Sequence, residues 1–191
     1  MIAGAGRTIA GAVSLGLLFA GEAQAHPHIW VTVSSDLVYA ADGSVVAMRH
    51  AWAFDEMSSA FIIRDAAITR KDRLAREDFA SLARAHVDSL KQLDYFTNVK
   101  ANGINLKFGE PADYRFELGA GVLTLHFTLP FQSTAKTPTL EVAVYDPSYF
   151  VDISLIDEDP VVLVNAPPGC DLSIVRKSWA QVANKIVVTC P

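Results

Sequence analysis

The amino-acid sequence predicts an α+β domain, mainly antiparallel β in a sandwich or curved sheet, with one long and one short helix inserted. Three observations carry this expectation. Apolar and polar residues alternate with a period of two early and late in the chain. Ile29, Val31 and Val33 oppose Trp30, Thr32 and Ser34, and Leu123, Leu125, Phe127 and Leu129 oppose Thr124, His126 and Thr128. Turn signals such as Asp42-Gly43 and Asn102-Gly103 separate the alternating runs. A 3.6-residue spacing is sustained at Phe79, Leu82, Ala83, His86, Val87 and Leu90, which marks one amphipathic helix.

Taken in order, residues 1–25 read as a cleaved export signal. Arg7 precedes an apolar run from Ile9 to Ala20, Gly21-Glu22 breaks it, and Ala23-Gln24-Ala25 supplies the small-x-small cleavage site. The run is shorter than the roughly 20 residues that span a bilayer, so the chain is not expected to be membrane-spanning. Removing 25 of the 191 residues leaves 166, expected to form a single periplasmic β-rich domain over 26–191. His28 to Tyr39 and Ser44 to Phe54 form an antiparallel hairpin. A helical insertion at about 57–93 follows: a short helix from Met57 to Ala66, a polar segment from Thr69 to Arg73, and a long helix from Arg76 to Leu93. Beyond it, strands are expected at 95–99, 104–108, 114–118, 122–131, 140–145, 149–156, 160–164, 172–176 and 186–189, with a helical turn within 178–184.

The formal net charge of −5 and scattered basic residues exclude nucleic-acid binding, which needs a clustered positive field. The two cysteines, Cys170 and Cys190, are expected to pair in an oxidising compartment and staple the tail. No G-x-S-x-G elbow, H-E-x-x-H pair or phosphate-binding glycine loop occurs, so no enzyme activity and no catalytic residue are expected. Asp157-Glu158-Asp159 reads as a solvated turn.

All five histidines, His26, His28, His50, His86 and His126, lie beyond the cleavage site. If cleavage follows Ala25, His26 becomes the amino terminus, and its amine and Nδ1 can chelate one ion together. Pro27 lacks the backbone N–H that a square-planar amino-terminal motif would deprotonate. What remains is a brace at His26 completed from elsewhere, with His28 and His50 as nitrogen partners and Glu56 or Asp146 as oxygen ligands. Such a donor set suits nickel, cobalt, copper or zinc. The plainer readings are a solvated terminus for the histidine pair and a packed or edge residue for His86. A metal-free alternative is a solute-binding or protein-interaction module in which Trp30, Tyr95, Tyr114, Tyr145 and Tyr149 line a cleft. A histidine-brace copper enzyme is a third possibility, which nothing outside the terminus supports.

Several of these stretches also carry a family resemblance. They are Ala25-His26-Pro27-His28-Ile29-Trp30, His50-Ala51-Trp52-Ala53-Phe54-Asp55-Glu56, Leu93-Asp94-Tyr95-Phe96-Thr97, Leu123-Thr124-Leu125-His126-Phe127, Tyr145-Asp146-Pro147-Ser148-Tyr149-Phe150 and the late cysteines. Through them the chain resembles the domain-of-unknown-function 1007 family, often described as the periplasmic component of an ABC-type transport system. The resemblance covers nearly all of the expected mature chain. It implies a role in handling divalent metal beside a membrane metal permease of the nickel/cobalt type or an ABC-type transporter. Many relatives carry a calcium-loop-like Asp-x-Asn-x-Asp-Gly segment before the long helix. Here Asp65 to Phe79 has Lys71 and Arg73 where oxygen ligands would stand, so no calcium site is expected.

Overall fold

The computed structural model describes residues 28–70, 76–178 and 181–191. The export signal, His26 and the centre of the calcium-loop-like segment lie outside them. The strands are β1 (Ile29–Tyr39), β2 (Val45–Phe54), β3 (Thr97–Ala101), β4 (Ile104–Leu106), β5 (Ala112–Gly119) and β6 (Val122–Ala135). They continue with β7 (Thr139–Val144), β8 (Val151–Leu155), β9 (Val161–Val164), β10 (Asp171–Val175) and β11 (Asn184–Thr189). Helices α1 (Glu56–Arg70) and α2 (Arg76–Lys91) sit between β2 and β3. The α+β class and the helical insertion are as expected.

Two sheets form the sandwich. One runs β5-β6-β2-β1-β8, with β9 also on β1; the other runs β10-β11-β7-β3-β4. β1 and β2 pair antiparallel, with Val33 opposite Trp52 and Ser35 opposite His50. A parallel element appears that alternation could not reveal: β8 pairs with the first half of β1 and β9 with the second, along one edge. The chain between them carries Asp157-Glu158-Asp159 as an exposed turn, held by the Arg176 guanidinium, which donates to the carbonyls of Leu155, Ile156 and Asp157.

The core follows the alternation. Val31, Val33 and Leu37 of β1, Met48, Trp52 and Phe54 of β2, and Leu123, Leu125, Phe127 and Leu129 of β6 face Val99, Leu140, Val142, Val144, Ile186 and Val188 of the other sheet. In β2 the register shifts between Val45 and Ala47, so Val45 joins Met48 in the core instead of Val46. Two polar side chains also bridge the sheets. Asn184 Nδ2 donates to Val144 O (3.4 Å) and to Ile153 O (3.0 Å), tying β7 to β8. His50 makes the second bridge, described below.

α1 is longer than expected, 15 residues against 16 for α2, so the insertion is two comparable helices. Asp55 caps α1, its Oδ1 accepting from the N–H groups of Met57 (2.9 Å) and Ser58 (3.0 Å). The buried Ser59 hydroxyl donates to Phe54 O and accepts from Leu123 N–H, fixing the helix to β2 and β6. α2 lays Ala83 and Val87 into the core, with His86 against Phe54 and Phe116. Among the described residues of 178–184 no helical turn is found: Ser178 and Gln181 form an antiparallel bridge, each N–H donating to the other's carbonyl.

Cys170 and Cys190 form the expected disulfide, 20 residues apart in sequence. Replacing both with serine is expected to lower the unfolding free energy by roughly 3 kcal/mol, from loop-closure entropy restored to the unfolded chain. Equilibrium urea unfolding of the wild type and the double variant measures it.

Candidate functional site

The expected metal-ligand residues divide into two places. His28, Glu56 and Asp146 lie on segments that end near the start of β1: His28 precedes β1, Glu56 follows Asp55, which bonds to Trp30, and Asp146 bonds to Val151 at the start of β8 beside Ile29. His28 N–H donates to Phe150 O (2.9 Å), and its exposed ring lies 4.9 Å from the Phe150 ring. Trp30 faces Asp55 across β1 and β2: Asp55 N–H donates to Trp30 O (3.1 Å), and Trp30 N–H donates to Asp55 Oδ2 (3.3 Å). Glu56 follows at once and is exposed. Burial acts to raise the Asp55 pKa, but hydrogen bonds from Ser58, Trp30 and Met57 outweigh it and hold the carboxyl below its ordinary value.

Asp146 lies at the same end but is committed to its own loop. Its Oδ1 accepts from Ser148 N–H (2.8 Å) and Ser148 Oγ–H (2.7 Å), and its Oδ2 from Val151 N–H (2.8 Å). Only 5% of it is exposed. A carboxylate this fully used shapes the turn before β8 and has little lone-pair capacity left for an ion.

His50 does not join them. It pairs with Ser35, seven residues beyond His28 along β1, about 23 Å at the usual strand rise. It is 3% exposed, packed against Trp52 and Phe127. Thr97 Oγ1 spends its one proton on Tyr95 O (2.9 Å), so at 3.3 Å it accepts from His50 Nε2–H. Nδ1 then accepts from the Ser35 hydroxyl (2.9 Å). Both ring nitrogens are occupied, and burial pushes the pKa down to about 3, so the ring is neutral. The structure does not bring His50 and His28 together: His50 lies on the buried face of β2 with Met48, Trp52 and Phe54, and both its ring nitrogens are used there.

The other histidines are likewise placed. His86 Nδ1–H donates to Leu82 O (3.0 Å), and burial lowers its pKa. His126 lies on the outer face of β6, its Nε2 3.4 Å from the Glu117 carboxylate. Burial and Arg115 lower its pKa, while Glu117 pulls the other way. Among the described residues, no three histidine, cysteine, aspartate or glutamate side chains gather as a site for an ion.

Of the aromatics expected to line a cleft, Tyr95 and Tyr145 do so together, in a hollow of about 590 Å³ bordered by Phe108 and the Lys91–Glu110 ion pair. Trp30, Tyr114 and Tyr149 do not line it. A second hollow, of about 380 Å³, lies beside the start of β1 and is walled by Val31, Trp52, Phe54, Leu90, Leu125 and Phe150. Trp52 Nε1 and Tyr95 Oη are buried without a hydrogen-bond partner. Each such atom costs about 1–3 kcal/mol. Sequence reasoning missed both: an aromatic on a core face carries no mark of whether its polar atom finds a partner.

The family profile described as "Protein of unknown function (DUF1007)" matches residues 11–190. The chain is also similar to a protein of Spirochaeta aurantia named "Uncharacterized 15.5 kDa protein in trpE 3'region". The two are 28% identical over 104 residues, covering 53% of this chain and 74% of that protein.

His50 makes folding pH-dependent. Above its ordinary pKa of 6.5, folded and unfolded states are both neutral and its contribution is fully present. As pH falls from 6.5 toward about 3, only the unfolded chain takes up the proton, so stability declines across that window. Between pH 6 and 4 the wild type is expected to lose on the order of 1 kcal/mol per pH unit more than a His50→Gln variant, measured by denaturant titrations at each pH.

Proposed function

The chain belongs to the domain-of-unknown-function 1007 family, and we propose that it is an exported accessory protein that binds a divalent transition metal at His26 and His28 and serves a membrane metal transporter. The observation that carries this reading is the placement of His28: exposed, just before β1 at the end of the sheet where α1 also begins, with the exposed Glu56 in its first turn. His50 and Asp146 drop out of the donor set because their polar atoms are already used. The reading narrows to the amine and imidazole of His26, the imidazole of His28 and the carboxylate of Glu56. Three nitrogens and one oxygen suit nickel, cobalt, copper or zinc, and such an ion would serve as cargo at the protein's edge. One feature supports export: the two thiols are paired in a disulfide.

The test is a competitive titration with nickel, cobalt, zinc and copper, comparing protein that begins at His26 with protein bearing one additional amino-terminal alanine. The extension displaces the amine from the chelate ring and is expected to weaken binding about tenfold or more, as is His28→Ala, whereas His50→Gln leaves affinity unchanged. Equal affinities with and without the extension sink the amine-anchored site. Absence of binding in every form favours the metal-free solute-binding alternative, which the hollow between Tyr95 and Tyr145 supports.

A further inference from the structure

A further hollow, of about 440 Å³, lies on the outer face of the first sheet and is bordered by exposed charged side chains. Strand register builds it. Asp36, Arg49 and Thr128 stand side by side across β1, β2 and β6. In the next row Ser34, Ala51, His126 and Arg115 run from β1 to β5. Each of these residues adjoins a buried one in its strand, so its side chain points away from the core. Ser34 and Ala51 are small, which leaves space between the longer side chains around them.

An irregularity in β5 supplies the last wall. Thr128 pairs with Ala112 and His126 with Arg115, so β5 carries one extra residue between the two pairs. Regular pairing would turn Asp113 toward the inner face. The bulge, with Asp113 at a φ of 51°, instead leaves it exposed on the border of the outer hollow. A bulge of this kind re-aims a side chain, here at the cost of a left-handed backbone.

The charges around the hollow are open to a ligand. The Arg49 guanidinium is 51% exposed and lies 3.6 Å from the Asp36 carboxylate, beyond hydrogen-bond range. The Arg115 guanidinium is 61% exposed and 4.0 Å from Glu117. Asp113 has no hydrogen bond or ion pair with any described residue. Two guanidinium groups and two carboxylates border the space, so its charge balances. A simple anion would meet Asp36 and Asp113 there, and a simple cation Arg49 and Arg115. A ligand bearing both charges can meet each with its opposite. Guanidinium matches a carboxylate through paired N–H donors, and an ammonium donates to a carboxylate. Two strand spacings, about 10 Å, separate the backbones of Arg49 on β2 and Asp113 on β5, a span that suits charges held apart by a peptide unit.

We propose that this hollow binds a zwitterion of dipeptide size, its carboxylate held by Arg49 and Arg115 and its ammonium by Asp113. The site is separate from the metal-binding reading and from the hollow between Tyr95 and Tyr145, and it needs neither His26 nor His28.

L-alanyl-L-alanine and two analogues that each lack one charge test it: the N-acetylated dipeptide and the dipeptide C-terminal amide. Calorimetric titration of the full-length protein is expected to show saturable binding of the free dipeptide, about tenfold tighter than either analogue. Asp113→Asn removes the negative charge and keeps a residue that tolerates positive φ. It should weaken the free dipeptide about tenfold and leave the N-acetylated one unchanged. Arg49→Gln should weaken the free dipeptide by a similar factor and leave the amide unchanged. Ala51→Trp, which fills the hollow from its floor on the solvent side, should abolish binding of all three. Absence of saturable binding of the free dipeptide at millimolar concentration overturns the proposal. So does equal affinity for the three probes in the wild type.

Discussion

The hydrogen-bonded run from Ser35 through His50 to Thr97 and the Tyr95 carbonyl crosses the sandwich from one sheet to the other, and much of the fold is arranged to keep it satisfied. Each hydroxyl proton has one destination, so the tautomer of His50 follows from the chain of donors. A buried imidazole is tolerable only if both nitrogens are used, because an unmet polar atom forfeits its hydration with no return. The run thereby fixes which residue of β2 faces β3, a matter that Val, Leu and Phe alone would leave to shape. Its far end also helps hold a strained segment. Asp94, Tyr95 and Phe96 all adopt positive φ, a conformation that costs side-chain-bearing residues free energy. They stay there because Tyr95 and Phe96 are buried, Tyr95 O accepts from Thr97, and Phe96 O accepts from Tyr145 N–H.

Where the second sheet stops, the helices take over. α2 packs Ala83 and Val87 against the inner face near β5, with His86 set edge-on to Phe116. A helix surface cannot match a twisted sheet along its whole length. The two hollows open on either side of its last turn, Leu90 lining one and Lys91 the other. The strained turn at 94–96 brings the chain from this helix down into β3 within a few residues, and that short return leaves the space beside it unfilled.

Much of this was legible in the chain. Period-two alternation located the strands and the core faces, because burying one side of a pleated strand leaves little choice of residue. The disulfide followed from two late cysteines in an exported context. The failures have physical causes. α1 was read as ending near Ala66 because Thr69-Arg70-Lys71 is polar, yet polar residues are no stop signal in a stretch without glycine or proline, and the helix continues to Arg70. The left-handed turn has no glycine to announce it; tertiary contacts impose it. Alternation says which face a residue takes but nothing about strand direction, so the parallel pairing of β8 and β9 with β1 stayed hidden. His50 is the clearest case. Its imidazole suggested a ligand, and the partner that occupies its Nε2, Thr97, lies 47 residues away in sequence, where no local pattern could show it.

The interior thus consumes most of the polar atoms that it buries, and one place where exposed polar side chains meet apolar surface is the start of β1. Ser35, Ser59, Thr97 and Asn184 are each bonded inside the fold, and Asp146 is closed on its own loop. A ligand among these bonded side chains would have to displace a bond that the fold uses. At the start of β1 the sheet stops, α1 begins at Glu56, and the chain before β8 returns, so backbone from three directions ends within a few residues. Phe150 stands at their meeting point, its ring beside His28 on one side and in the wall of the apolar hollow on the other. The polar atoms of the core are bonded inside the fold, whereas at this rim exposed polar side chains and apolar surface stand together.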